Sequence, residues 1–289
     1  MDKYKKKQLF KSCIRYTILI LGLFIMIYPI IWLIGASFKT NAEIFSSINF
    51  LPNWSTVKEI GFTPYIEGWN TSTEFTFATY FLNTFKIIIP KVIFTVIGSL
   101  LTAYGFTRFN FKGKKILMSI LIGTLFLPSI VTRVPLYLFW RELGMLDTYI
   151  PLIIPPLFGG EAFFSYMMIQ FMRGVPKDLD EAANIDGCNS FQTLYKIIVP
   201  TMIPCIVSCA LFQFMWTNND FLGPLIYISS VSKYPMSIAL KMAMDTTAGT
   251  FDWNRVIAMS LIGLAPSLIL FFSAQKTFIE GATAGSVKG

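Results

Sequence analysis

The stretch EAANIDGCNSFQTLYKIIVP, from Glu181 to Pro200, is a short polar segment between two long apolar ones. Just before it, Pro176 suits the first turn of a helix, where a backbone N–H is not needed. Three acidic residues follow and favour the positive end of the helix dipole: Asp178, Asp180 and Glu181. The pattern predicts a short helix that begins near Lys177.

A second short helix is predicted directly after the first. Gly187 can adopt the left-handed conformation that closes a helix, and Asn189 with Gln192 can form a capping box. Four apolar residues then recur with the helical period and are predicted to share one face: Phe191, Leu194, Tyr195 and Ile198. The segment is therefore a bent pair of amphipathic helices. Periodicity alone also fits an ordinary connector between membrane spans.

Composition places the chain in a membrane. Apolar residues make up 54% of it and charged residues 14%. Runs of about 20 apolar residues, the length needed to cross a bilayer, recur along the chain. We predict an all-α, polytopic membrane protein with six transmembrane helices, at residues 14–35, 80–104, 116–139, 149–172, 199–228 and 256–278. The fifth span includes an outer continuation beyond residue 215.

The connections between these spans set the predicted orientation. They are a basic tail at 1–13, an external segment at 36–79, the loop at 173–198 and a tail at 279–289, around one transmembrane domain at about 75–280. Cytoplasmic loops hold the excess of Lys and Arg. These residues are concentrated in three places, which are the start of the chain, the connection between the second and third spans, and the 173–198 loop: Lys3, Lys5, Lys6, Lys7, Lys11 and Arg15; Arg108, Lys112, Lys114 and Lys115; Arg173, Lys177 and Lys196. Both termini and the 173–198 loop are therefore predicted to be cytoplasmic.

The basic residues do not indicate a nucleic-acid partner or a cleaved leader. The net charge is +8, but the cations flank apolar spans instead of forming a face on a folded domain. Topology and anionic lipid account for them better, and no nucleic-acid partner is expected. A signal peptide would end near Gly35, but an apolar stretch of about 22 residues is long enough for a retained span.

Several classes of function are excluded by missing residues. The chain has no histidine, which rules out Ser-His catalysis and His-zinc hydrolysis. It also has no Gly-x-x-x-x-Gly-Lys-Ser/Thr sequence that could cradle a nucleotide. The four cysteines show no metal-ligand spacing and are expected to be free thiols. Energy for any transport must then come from a partner or an ion gradient.

The Glu-Ala-Ala run at Glu181, followed by Gly187, Ile197 and Pro200, resembles the signature of permease subunits of ATP-binding-cassette (ABC) importers. The chain departs from it only at Val199, where Leu is usual. Three further stretches resemble the carbohydrate branch, the maltose-type permeases: Phe171 to Lys177, Trp216 to Leu225, and Val287-Lys288-Gly289.

This resemblance implies a type I ABC importer permease fold in a bacterial cytoplasmic membrane. The chain would be half of a translocation pore, and a second homologous permease would complete it. The implied partners are an ABC ATPase dimer, an extracytoplasmic solute-binding protein, membrane lipid and a sugar, an oligosaccharide by association. ATP and Mg would be bound by the ATPase, with no cofactor and no covalent chemistry on this chain. The 36–79 segment would contact the solute-binding protein.

The resemblance also implies that the 173–198 loop binds the ATPase. The residues that match the signature are Glu181, Ala182, Ala183, Gly187, Ile197 and Pro200. Ala182 and Ala183 would let the helix backbone approach a groove closely. Glu181 would offer a carboxylate to an arginine of the ATPase, and Gly187 would set the bend.

Glu161 is the polar residue inside a predicted span that says most about the solute path. It lies about 11 residues from the inner end of its span, roughly 16 Å at helical rise, near the middle of the bilayer. The prolines and glycines before it predict a break in the outer half of that span: Pro151, Pro155, Pro156, Gly159 and Gly160. Glu161 either accepts hydrogen bonds from sugar or a gate residue, or pairs structurally with a cation such as Arg133 or Lys86. Both alternatives stay open.

Asn218, Asn219 and Asp220 follow Trp216 at the predicted outer end of the fifth span. They are candidates for an outer gate, although polar residues also mark an ordinary exit from the membrane. Two other functions remain open. An ion-gradient-driven secondary transporter would place its coupling site at a carboxylate such as Glu161, and an ABC permease for a non-sugar solute would share the same loop signature.

Overall fold

The computed structural model describes residues 3–46, 49–70, 74–159, 161–244 and 252–284. Within these ranges the regular elements are all helices, as the sequence predicts. Four of them are long and apolar enough to cross a bilayer: Phe10–Ala36, Phe77–Arg108, Ser190–Asn218 and Trp253–Gln275. The terminal stretch Val287-Lys288-Gly289 lies outside the described residues.

The α-helices follow in chain order: α1 Lys3–Ala36, α2 Asn41–Ser46, α3 Trp54–Ile60, α4 Thr63–Trp69, α5 Phe77–Arg108, α6 Lys114–Thr124, α7 Ser129–Glu142, α8 Ile150–Ile153, α9 Ala162–Arg173, α10 Asp178–Ile185, α11 Ser190–Thr193, α12 Val199–Asn218, α13 Leu222–Tyr227, α14 Met236–Ala243 and α15 Trp253–Ala284. A π-helical turn, Leu194–Ile198, joins α11 to α12, and 3₁₀ turns occupy Pro155–Phe158 and Val231–Lys233.

The third predicted span, residues 116–139, is not one continuous helix. It is divided between α6 and α7, with a turn at Leu125 to Pro128. Pro128 has no backbone N–H to continue the helical ladder, and proline disfavours a helical conformation at the residue before it. The third predicted span therefore consists of two shorter helices.

The fourth predicted span, residues 149–172, is broken where its prolines and glycines predict. α8 is followed by the 3₁₀ turn Pro155–Phe158 and by Gly159 with φ of +81°. α5 packs against this broken stretch at Gly98, where a Cβ atom would overlap the carbonyl oxygen of Pro156. Only a residue without a Cβ allows that approach.

Residues 1–77 and 240–263 form one compact unit. In it the side chain of Lys39 is buried and donates to the carbonyl of Asn49. Glu43 accepts hydrogen bonds from Asn53 at 2.6 Å and Thr56 at 2.7 Å, which ties α2 to the start of α3. Several large apolar side chains of the 36–79 segment are exposed, among them Trp54, Phe62 and Ile66.

Residues 78–239 and 264–289 form the second unit. Its larger apolar core joins the second half of α5 to α9, the π-helical turn and α12, through residues such as Ala103, Phe164, Met168, Ile198 and Met202. A second cluster joins Ile87 in the first half of α5 to Trp140 of α7, Leu152 of α8 and Tyr227 of α13. The two clusters hold the broken fourth span against α5 and α12.

Candidate functional site

The 178–198 loop has the helix, turn and helix that the sequence predicts. α10 begins at Asp178, with its acidic residues in the first turn, and it ends before Gly187, whose φ is +81°. The capping box of α11 is present, because Asn189 accepts from the Gln192 backbone N–H and Gln192 accepts from that of Asn189, both at 2.9 Å. The bend is therefore built from Gly187 and the capping residues.

The two alanines of the Glu-Ala-Ala run have different environments. Glu181 and Ala182 are exposed, whereas Ala183 is buried within the chain at 3% exposure, so of the two alanines only Ala182 is accessible to a partner. Each residue turns the helix by about 100°, and three consecutive residues cannot all face outward. Ile185, which the sequence pattern did not single out, is 88% exposed.

The second helix of the loop also differs from the prediction of one shared apolar face. Leu194 and Ile198 are buried, but Phe191 and Tyr195 are 73% and 68% exposed. The π-helical turn explains part of this difference, because its wider turn changes which residues share a face. We call the exposed set Glu181, Ala182, Ile185, Phe191 and Tyr195 the loop surface. Large apolar side chains exposed on a polar loop are typical of an interaction site.

Ile197 and Pro200 lie at the junction of the loop with α12. Ile197 is half-buried in the π-helical turn, and Pro200 follows in the first turn of α12. The Val199 N–H bonds to the Leu194 carbonyl, five residues back, while Pro200 has no N–H to donate. Ile197 and Pro200 therefore lie where the π-helical turn passes into α12. The side chain of Pro200 is exposed.

The last turn of α5 anchors the loop. The Arg108 Nε lies 2.9 Å from Asp180 Oδ2 in α10, with both side chains largely buried. The same guanidinium donates to the carbonyls of Val175 at 3.1 Å and Met172 at 3.5 Å. One turn earlier, the Tyr104 hydroxyl donates to the Ser190 carbonyl at 2.9 Å. Both helices of the loop are thus held by the end of α5.

Glu161 pairs with a cation that was not predicted from the sequence. Its carboxylate lies 3.7 Å from Lys91 Nζ, so pairing with Arg133 or Lys86 is wrong. Lys86 instead donates to Asn83 at 3.1 Å. Glu161 sits at the start of α9, directly after the break in the fourth span. The signal that could have found Lys91 is its place in the middle of an apolar span, where a lysine is rare.

Asn218 and Asp220 lie beside Lys91. All three line one narrow pocket, together with Thr84 and Thr217. Asp220 accepts from the Gly223 N–H at 3.0 Å, and Asn218 donates to Ser267 at 3.3 Å.

The structure therefore groups most of the predicted path residues. It brings Glu161, Asn218 and Asp220 together around Lys91, which we call the polar cluster. Asn219 is exposed at the end of α12 and does not line the pocket. The polar cluster joins α5, α9 and α12 at the break in the fourth span.

The match to a known family covers residues 94–276, and the family is described as the binding-protein-dependent transport system inner membrane component. The chain belongs to this family. It is a permease subunit and a membrane protein, not an enzyme. The matched region contains the 178–198 loop and all of the polar cluster except Lys91.

Relatives extend the similarity beyond the matched region. The permease is 31% identical to the probable ABC transporter permease protein YurM of Bacillus subtilis (strain 168), over 100% of this chain and 92% of that one. It is 28% identical to the galactooligosaccharides transport system permease protein GanQ of the same organism, over 99% and 98%.

A solved structure has the same fold. A chain of a bacterial ABC transporter involved in the import of the acidic polysaccharide alginate matches with a TM-score of 0.79 at 21% identity, over 96% of this chain and 100% of that one. The permease therefore has the ABC importer permease fold. Among the residues that the structure describes, no group of three or more His, Cys, Asp or Glu is placed to hold a metal ion.

Proposed function

We propose that this permease is half of the translocation pore of an ATP-driven importer for an oligosaccharide. The observation that carries the proposal is the 178–198 loop, where a short helix with acidic residues in its first turn ends before a left-handed glycine and is anchored to α5 by Arg108. The relative GanQ, which is named for galactooligosaccharides, supports the substrate class. The alginate importer has the same fold and is also named for a carbohydrate.

The loop surface is proposed to dock on an ABC ATPase that binds ATP and Mg. Ile185, Phe191 and Tyr195 would supply apolar contact area, and Glu181 a charge for an arginine of the ATPase. Gly187 would keep the two helices at a fixed angle. Movement of α10 would pass to α5 through Asp180 and Arg108. Ala183, Ile197 and Pro200 are proposed to maintain the shape of the loop instead of touching the ATPase.

The polar cluster is proposed to lie on the solute path or at its gate. Charged groups within membrane spans are costly unless they are paired or face water. Lys91 and Glu161 satisfy that condition as a pair, and Asn218 and Asp220 add donors and acceptors suited to sugar hydroxyls. Asn219 is proposed to act only as an exposed residue at the helix end.

The remaining partners follow from this assignment. A second homologous permease would complete the pore, and both termini and the 173–198 loop would be cytoplasmic. The external segment would meet a solute-binding protein. Its exposed Trp54, Phe62 and Ile66 are the apolar residues suited to that contact.

The first experiment is gentle extraction of the permease, tagged at its N-terminus, from native membranes, followed by mass spectrometry of the proteins that co-purify. Recovery of an ABC ATPase and a second permease is expected. Recovery of the chain alone or as a homodimer would favour an ion-gradient-driven transporter. Uptake of radiolabelled solutes into vesicles that contain the recovered complex then tests the substrate class. Oligosaccharides should be taken up, and uptake of only amino acids or polyamines would contradict the sugar assignment.

A further inference from the structure

A cavity of about 500 Å³ opens beside the 178–198 loop, within the unit formed by residues 78–239 and 264–289. Its lining contains four basic residues and no carboxylate: Arg108, Lys114, Arg173 and Lys177. We call this the basic cavity. Arg108 is paired with Asp180. In the part of the chain that the structure describes, no carboxylate lies within ion-pair distance of Lys114, Arg173 or Lys177.

The basic cavity lies where three predicted spans leave the membrane. Arg108 is the last residue of α5, Lys114 is the first of α6 and Arg173 is the last of α9. This is the depth of the lipid headgroups, where basic pockets between membrane helices bind anionic headgroups. A charge excess spread over the surface would explain cations at these helix ends, but not their convergence on one cavity.

An apolar surface leads away from the basic cavity along α6. Ile116, Leu117 and Ile120 are 67%, 49% and 56% exposed, in the first two turns after Lys114. A cationic pocket followed by exposed aliphatic side chains matches a ligand with an anionic head and apolar chains. A free phosphate would use the cavity but would leave the apolar surface uncovered.

We propose that the basic cavity binds the headgroup phosphate of an anionic phospholipid whose acyl chains lie along α6. Lys114, Arg173 and Lys177 contact the phosphate, while Arg108 stays committed to Asp180. Lipid binding at this cavity requires only that the chain lies in a membrane. The assignment of the lipid to the cytoplasmic leaflet rests on the orientation proposed above. Because Lys177 directly precedes α10, the bound lipid would also link the 178–198 loop to the bilayer surface.

The test is native mass spectrometry of the full chain in detergent, titrated with phosphatidylglycerol, with phosphatidylcholine as the neutral lipid. The variant Lys114→Gln/Lys177→Gln removes two cations of the cavity. The matched control, Lys112→Gln/Lys115→Gln, removes two lysines that lie within two residues of Lys114 but do not line the cavity. The cavity variant should weaken phosphatidylglycerol binding by about tenfold or more, and the control by less than about twofold.

Equal losses in the two variants would show diffuse surface attraction and overturn the proposal. Equal binding of phosphatidylcholine by the unmodified chain would do the same. Complete displacement of phosphatidylglycerol by millimolar inorganic phosphate would identify a free-phosphate site instead of a lipid site. A thermal melt of the unmodified chain gives an independent measurement, in which phosphatidylglycerol should raise the melting temperature above its value in phosphatidylcholine. No difference between the two lipids would contradict the proposal.

Discussion

The guanidinium of Arg108 reaches Asp180 across the boundary between a membrane span and the 178–198 loop, with Nε and Oδ2 2.9 Å apart. The contact is an ion pair whose atoms are not aligned as a hydrogen bond. Because the same guanidinium also donates to the Val175 and Met172 carbonyls, one side chain joins the ends of α5 and α9 to the start of α10. The start of α10 is therefore connected directly to the ends of two long helices through this one side chain.

Removal of the charge on Asp180 should weaken the connection between α5 and α10. Asp180→Asn leaves Arg108 largely buried without its counter-ion, and loss of one member of a buried pair costs about 3–5 kcal/mol. We expect a lower melting temperature in detergent and a fall in ATP-driven uptake. Asp178→Asn is the matched control, because Asp178 lies in the same first turn but is exposed. Equal effects of the two substitutions would show that only the helix-end charge matters.

The left-handed conformation of Gly187 should restrict what can replace it. A side chain at φ +81° costs roughly 1–2 kcal/mol, and Asn tolerates this region better than β-branched residues do. We expect uptake coupled to ATP hydrolysis to fall in the order Gly, Asn, Val at position 187. Gly105, which lies within a helix and has open space around it, provides the control substitution Gly105→Ala. Full coupling in Gly187→Val would contradict a role of the bend in transmission.

Ile185 should contribute to docking without contributing to folding. Its side chain is 88% exposed, so Ile185→Ser should leave the melting temperature unchanged while it lowers recovery of the ATPase on purification. Asp186→Asn, at a neighbouring exposed position, is the control. Undiminished recovery of the ATPase with Ile185→Ser would show that this side chain does not contribute to docking.

Lys91 and Glu161 should behave as a pair in function. Lys91→Gln or Glu161→Gln alone leaves a charge without its partner inside the membrane, whereas the double variant leaves neither. A double-mutant cycle on thermal stability should therefore show the double variant closer to the unmodified chain than the sum of the single effects. Substrate-stimulated ATPase activity of the reconstituted complex measures the second role. Unchanged stimulation in both Glu161→Gln and Glu161→Ala would leave the pair with a structural role only.

Asp147 should make stability depend on acid pH. It accepts from Lys233 at 2.8 Å, from the Ser230 hydroxyl at 2.6 Å and from two backbone N–H groups, and the Lys233 contact is the largest cause that lowers the pKa of this carboxyl. A carboxyl with a lowered folded-state pKa stabilises the fold above its ordinary pKa near 4, and this stabilisation is lost as the pH falls below it.

Asp147→Asn should therefore lower the melting temperature at neutral pH and make it depend less on pH between about 6 and 3. Glu142→Gln is the control, because the Arg141–Glu142 pair is exposed to solvent and contributes little. A pH profile of the Asp147 variant that matches the unmodified chain would show that this carboxylate does not hold the turn after α7 to the segment after α13.

The local structure of the 178–198 loop was predictable because short-range chemistry decides it. Helix-end charges, a left-handed glycine and a capping box act within a few residues, and all are in place. The break in the fourth span was predictable for the same reason, since proline and glycine act on their own backbone. The side-chain orientations were harder to predict: Phe191 and Tyr195 are exposed while Leu194 and Ile198 are buried, and the unpredicted π-helical turn before Pro200 explains part of this difference.

The sequence by itself determined the class of protein, because three features can be read along the chain without knowing how it folds. They are the length of the apolar segments, the Lys and Arg residues that flank them, and the spacing of the Glu-Ala-Ala motif. Only the tertiary structure decided which charges meet. Lys91 and Glu161, and Arg108 and Asp180, are separated by about 70 residues in sequence, and their pairing depends on how α5 packs against α9 and the loop. Packing across helices selects one partner among several cations of the apolar segments, and no local rule ranks Lys91 above Lys86 or Arg133.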